Sequence, residues 1–185
     1  MQKHSFSIPA FMIALSLVLP SAGFTAPALP APSRCEDADK VCKRFERYAE
    51  KEQFEKIVEH YNTGESYSDA SRRLIGEACL ALASRDNVSP EQEEAYYRGA
   101  LQVKHYIAYM GLYFLYAQKD EQKAIGYLQE YIKTKPQDTV PYAILGETEL
   151  LKKNYALADT YLREAKRVAH GHSPRVDWML FQANY

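Results

Sequence analysis

The residues of this chain with chemistry to offer are three cysteines, a short histidine pair and a stripe of tyrosines. Cys35, Cys42 and Cys79 form an odd set, so in an oxidising compartment either one pair leaves a free thiol or none pairs. Cys35 and Cys42 are seven residues apart. Inside one helix their α-carbons would lie about 10 Å apart, beyond the roughly 7 Å reach of a disulfide, so this pair requires non-helical chain near Cys35. Cys42 with Cys79 is the open alternative. Zinc has no ligand set: no C-x-x-C occurs, and His170 and His172 have no cysteine or carboxylate cluster beside them, so they read as solvated turn residues. No G-x-S-x-G, H-E-x-x-H or Walker-type loop is present. Glu91 to Glu94 sit in a surface connection, Asp69 with Arg72 and Arg73 is helix-start charge patterning, and no carboxylate pair is singled out for sugar hydrolysis. With no recognisable catalytic constellation and no cofactor motif, the reading is a binding protein rather than an enzyme.

The tyrosines are the stronger signal. Tyr106, Tyr109, Tyr113 and Tyr116 are separated by gaps of three, four and three residues. At about 100° per residue their rings fall within roughly an 80° arc of one helix face, which is either a packed seam or a docking surface. Tyrosine suits docking because it offers rigid apolar area and a hydrogen-bonding tip with little rotamer entropy to lose. It suits a seam as well, with the hydroxyl reaching water.

The elements that must position these side chains are all helical by pattern. Proline and glycine fall between stretches of 3.6-residue periodicity, and no alternating β-branched run is long enough for a strand. Helices are expected over 36–50, 53–62, 68–84, 90–103, 104–118, 121–134, 138–153, 155–169 and 174–184. Ser68 and Ser89 are N-cap candidates, Pro90, Pro141 and Pro174 suit first turns, and Asn62-Thr63-Gly64 is a stop. Each helix is too short to be stable alone.

Ahead of them, Met1 to His4 carries one lysine and no acid and leads into "FMIALSLVL" and the small residues around Ala26-Pro27-Ala28. This is the pattern of a cleaved signal peptide over residues 1–28, followed by a proline-rich tether over 29–35 and a single folded domain over 36–185. The apolar run is shorter than the about 20 residues a bilayer span needs, and no lipobox precedes Cys35, so the expected product is a soluble protein of the periplasm or the medium. Cleavage removes Lys3 and no acid, taking the balance of 23 basic and 24 acidic residues to 22 and 24, or −2. Nucleic acid is not an expected partner.

The helical pattern recurs. Ile75-Gly76, Met110-Gly111 and Leu145-Gly146 are pairs of a large apolar residue and a glycine, each 35 residues from the next, and Ala124, Tyr127 and Leu128 return 34 residues later as Ala158, Tyr161 and Leu162. Glycine costs about 1 kcal/mol against alanine inside a helix, so its recurrence asks for close approach of a partner helix. On these residues the chain resembles the tetratricopeptide repeat family. Residues 139–172 match through Tyr142, Leu145, Gly146, Tyr155, Ala158 and Ala165, with His170 where proline is usual; 104–137 match through Met110, Gly111, Phe114, Ala124, Leu128 and Pro136. Ile75, Gly76, Tyr97 and Ala100 carry a weaker match over 69–105, whose longer connection is similar to Sel1-like repeats. "SPRVDWMLFQANY", residues 173–185, looks like a terminal capping helix.

The resemblance implies an all-α, right-handed superhelical stack of antiparallel helix pairs with a groove that binds a protein or peptide segment. Transferred position by position, it puts Arg73, Glu77 and Leu80, then Ala108, Tyr109, Leu112 and Tyr116, then Ala143, Glu147 and Leu150 on the groove wall. Tyr106 and Tyr113 turn toward the preceding pair; a one-residue slip in the longer turn would bring all four tyrosines into the groove. The expected role is an adaptor within an envelope assembly, pilus or secretion system. Its alternatives are an assembly or stability factor working through end surfaces, and a small cell-wall or carbohydrate-binding protein.

Overall fold

A computed structural model describes residues 35–61, 65–171 and 173–184. The expected signal peptide, the tether up to Arg34, the stop at Asn62 to Gly64, His172 and Tyr185 lie outside the described residues. The described chain is all-helical, with no strand, and sequence neighbours pack as pairs. No helix among the described residues is long and apolar enough to cross a membrane. The chain divides into two compact units, the first ending at His105 and the second beginning at Tyr106.

In the first unit α1 spans Lys40–Ala49, α2 Phe54–His60, α3 Asp69–Ala83 and α4 Pro90–Gln102. Cys35 is bonded to Cys42 with α-carbons 5.5 Å apart, and the chain is non-helical until Lys40. That later start has a local cause. Asp39 accepts the Cys42 amide at 2.8 Å and so caps α1, while its other oxygen accepts the Ser68 hydroxyl at 2.6 Å, tying this cap to that of α3. The Ser68 hydroxyl and then the Cys42 amide hold the Asp39 carboxyl below its ordinary range. Ser68 caps α3, and Ser89 with Gln92 forms a complete capping box ahead of Pro90. Phe45, Ile57, Ile75 and Leu82 fill the core with Cys79, a free thiol.

In the second unit α5 spans Ala108–Tyr116, α6 Glu121–Thr134, α7 Thr139–Leu151, α8 Tyr155–Val168 and α9 Pro174–Asn184. Here α5 packs on α6, α7 on α8, and α9 lies against both α7 and α8. Asp120 and Asp138 cap α6 and α7. Lys152 bridges Glu121 at 2.6 Å and the nearly buried Glu149 at 3.2 Å, joining the start of α6 to the end of α7. The turn after α7 passes through Lys153 in the left-handed region, and the Asn154 amide then reaches back to the Glu149 carbonyl at 2.9 Å. Glu52 and Lys104 occupy the same conformation after α1 and α4. Lys104 therefore ends α4 and delays α5 to Ala108 instead of letting helix resume at 104.

Two of the recurrent glycines, Gly76 and Gly146, are tight, but not in the same way. A β-carbon on Gly146 would come within 2.6 Å of Leu162 on α8, the helix-to-helix nesting that the pattern requires. One on Gly76 would come within 2.5 Å of His105, a residue beyond the end of α4; the small residue facing α3 from α4 is Gly99, 3.3 Å from the Cys79 sulfur by the same construction.

Candidate functional site

The tyrosine stripe is divided by the packing of α5. Tyr109 and Tyr116, two turns apart on one face, both lie against Tyr127 of α6, with ring centroids 6.4 Å and 5.9 Å away. Tyr113 points elsewhere: its hydroxyl is 3.4 Å from Thr148 Oγ1 on α7, and its ring meets Phe114 edge-on at 5.1 Å. The face shared by α5 and α6 thus gathers three half-buried rings in a shallow cluster.

Charged groups rim it. Lys123 Nζ stands 3.6 Å from the centre of the Tyr116 ring, on the flank of α6 one turn before Tyr127. One turn after it, Glu130 pairs with Lys133 at 2.6 Å. Burial pushes the Tyr109 phenol above its usual range, and Glu130 adds to the shift. Such a cluster presents aromatic area with polar tips inside a charged border, a surface suited to an apolar or aromatic group.

The other expected wall residues have individual fates. Ala108 and Leu112 are both 0% exposed and offer no surface to a ligand. Arg73 donates from one terminal nitrogen to both oxygens of Glu77, at 2.8 and 3.0 Å, four residues on along α3. Beside this pair, burial depresses the His105 imidazole, with Glu77 opposing the effect and Arg73 adding to it. Leu80 is half-buried on the same helix. Ala143 and Leu150 pack onto the cluster of Leu162, Ala165, Val176 and Met179, and Glu147 is engaged by Arg175 of α9 at 2.8 Å. The α7 face expected to line a groove is therefore covered by α9.

Against protein-family models, curated proteins and solved structures, this chain has no significant match. Its functional reading rests on its own residues. Tyr127 is the member of the cluster that the wall positions omit. Its signal was present in the sequence as half of the Tyr127 and Tyr161 recurrence, which marks an equivalent position in two helix pairs. Among the described residues no group of histidine, cysteine, aspartate or glutamate side chains is arranged to hold a metal ion.

Proposed function

We propose that the chain is an exported helical-repeat adaptor, non-enzymatic, that captures a protein or peptide segment on the α5–α6 face. The observation carrying this reading is the convergence of Tyr109, Tyr116 and Tyr127 beside Lys123. Rigid aromatic centres within a polar border are where binding energy concentrates in protein interfaces. A tetratricopeptide-like stack supplies the rationale for a short helical pair being used in this way, since each pair in such a stack is steadied by a neighbour, as α7 packs on α6. An envelope assembly, pilus or secretion system is the setting that the expected export suggests.

A second reading, an assembly factor acting through its end surface, is favoured by α9. Trp178 and Phe181 stack there with centroids 5.6 Å apart, although they are 60% and 52% exposed. The two readings separate by crosslinking in the host. Tyr109→Ala with Tyr116→Ala and, separately, Trp178→Ala with Phe181→Ala are compared after far-ultraviolet circular dichroism shows an unchanged helix content. The adaptor reading requires that the first variant lose the crosslinked partner and the second keep it. The reverse result establishes the end surface, and retention by both variants removes the tyrosine cluster as the site.

A further inference from the structure

The charge of this chain is nearly balanced, yet α1 concentrates one sign. Lys40, Arg44 and Arg47 follow gaps of four and three residues along α1, and Lys51 comes in the turn just after it. At about 100° per residue the three on the helix share an arc of roughly 60°, diametrically opposite the buried Cys42 and Phe45. The stripe therefore faces away from the core by construction. Arg44, Arg47 and Lys51 line a concavity of about 230 Å³ together with Tyr48 and Gln53, and no carboxylate lines it.

Among the described residues no ion pair joins Arg44, Arg47 or Lys51 to a carboxylate. Two of the nearby acids are turned to other bases, Glu46 lying 3.9 Å from Lys43 and Glu55 paired with Arg85, while Glu50 and Glu52 flank Lys51 without lining the hollow. Arg47 spends only its Nε, on the Lys43 carbonyl at 3.4 Å, which leaves the two terminal nitrogens of its fork. Lys56 lies next to the cluster, its Nζ 5.6 Å from the Tyr48 ring and bonded to Gln53 Oε1 at 3.1 Å, so a further cation borders the same hollow. Like charges three and four residues apart on a helix repel, and an oxyanion seated among them reverses the sign of that interaction. Two guanidinium forks match the paired oxygens of a tetrahedral oxyanion. A water occupies about 30 Å³, so the hollow has room for a phosphoryl group and part of what bears it.

We propose that this concavity on the outer face of α1 is an oxyanion site for a phosphoryl group, borne either by a soluble ester or by a phospholipid headgroup. The test uses the full mature chain labelled with ¹⁵N. Pyrophosphate is titrated at constant ionic strength, with sodium chloride as the control, while the Arg44 and Arg47 Nε–H resonances are followed. Saturating shifts are expected with pyrophosphate and not with chloride, and Arg44→Glu with Arg47→Glu should weaken binding by at least tenfold. Lys51→Gln, at an exposed position outside α1, should weaken it by roughly fivefold and guards against a folding defect in the double variant. Vesicles of phosphatidylcholine with phosphatidylglycerol assign the source: co-sedimentation that pyrophosphate displaces assigns the headgroup, and no co-sedimentation beside saturable pyrophosphate binding assigns a soluble ligand. Pyrophosphate shifts that fail to saturate, or that chloride reproduces, overturn the site. So does vesicle binding that pyrophosphate does not displace, which would mean a diffuse basic surface.

Discussion

Two glycines of the second unit allow the nesting of helices to be weighed. Gly126 sits in α6 with nothing within 4 Å of an added β-carbon, whereas at Gly146 in α7 the same atom would come within 2.6 Å of Leu162 Cγ and Cδ2. Alanine is favoured over glycine in a helix by about 1 kcal/mol, so Gly126→Ala should stabilise by about that amount. At Gly146 the same gain is opposed by a clash. Carbon atoms rest about 3.5–4.0 Å apart, so Leu162 must retreat by roughly 1 Å. Leu162 is 0% exposed and closely surrounded, and forcing an extra carbon into such a place costs about 1–3 kcal/mol. The balance is a destabilisation of about 1 kcal/mol for Gly146→Ala, an opposite sign from the same chemical change twenty residues earlier. Trp178 is the single tryptophan of the chain and lies on α9, so its fluorescence during urea unfolding reports the second unit alone. Shortening the obstacle with Leu162→Ala should make Gly146→Ala less harmful than in the parent, a coupling measurable by a double-mutant cycle. If Gly146→Ala stabilises as much as Gly126→Ala, α7 and α8 do not nest at that glycine and the physical reason for its recurrence is gone.

Two further outcomes follow from the cysteines. Burial raises the Cys79 thiol from 9.0 to about 11, so the folded chain keeps a proton that the unfolded chain releases. This contribution is fully present below pH 9 and declines as pH rises toward 11, at up to about 1.4 kcal/mol per pH unit. Cys79→Ala, compared with the parent by urea unfolding between pH 8 and 10.5, should lack that component of the slope; identical slopes would contradict the buried thiol. The Cys35–Cys42 bridge closes a short loop, for which chain entropy gives about 2 kcal/mol. Cys35→Ala with Cys42→Ala should therefore speed amide hydrogen exchange in α1 while leaving α6 to α8 protected, and unchanged α1 protection would assign the bridge no stabilising role.

The helices were legible in the sequence because their signals are local. Capping serines, first-turn prolines and 3.6-residue apolar spacing are read within a turn or two, and α6 runs over the expected residues from Glu121 to Thr134. Errors of boundary came from partners far along the chain. The start of α1 depends on Asp39 serving Ser68, 29 residues on, as well as its own helix. At Gly76 and Gly146 the repeat pattern correctly marks a crowded position but not the neighbour that crowds it, since His105 and Leu162 are chosen by tertiary packing. The tyrosine stripe shows the same division. Its helical spacing is a property of α5, while the separation of Tyr109 and Tyr116 from Tyr113 is set by which neighbour, α6 or α7, each face meets.

The cover that α9 places on α7 decides where binding can occur in the second unit. To use the face bearing Ala143, Glu147 and Leu150, a ligand would have to displace α9. Val176 and Met179 are buried there, and re-exposing each costs about 1.5–3 kcal/mol before the Arg175–Glu147 pair is counted. A partner of micromolar affinity has about 8 kcal/mol in total, so displacement would consume roughly half of it or more. The α5–α6 face asks for no such opening. Tyr109, Tyr116 and Tyr127 already stand partly in solvent, and their rings are held by one another and by Lys123. Side chains restrained before a partner arrives lose less entropy on binding, which favours the standing aromatic cluster over a wall that must first be uncovered.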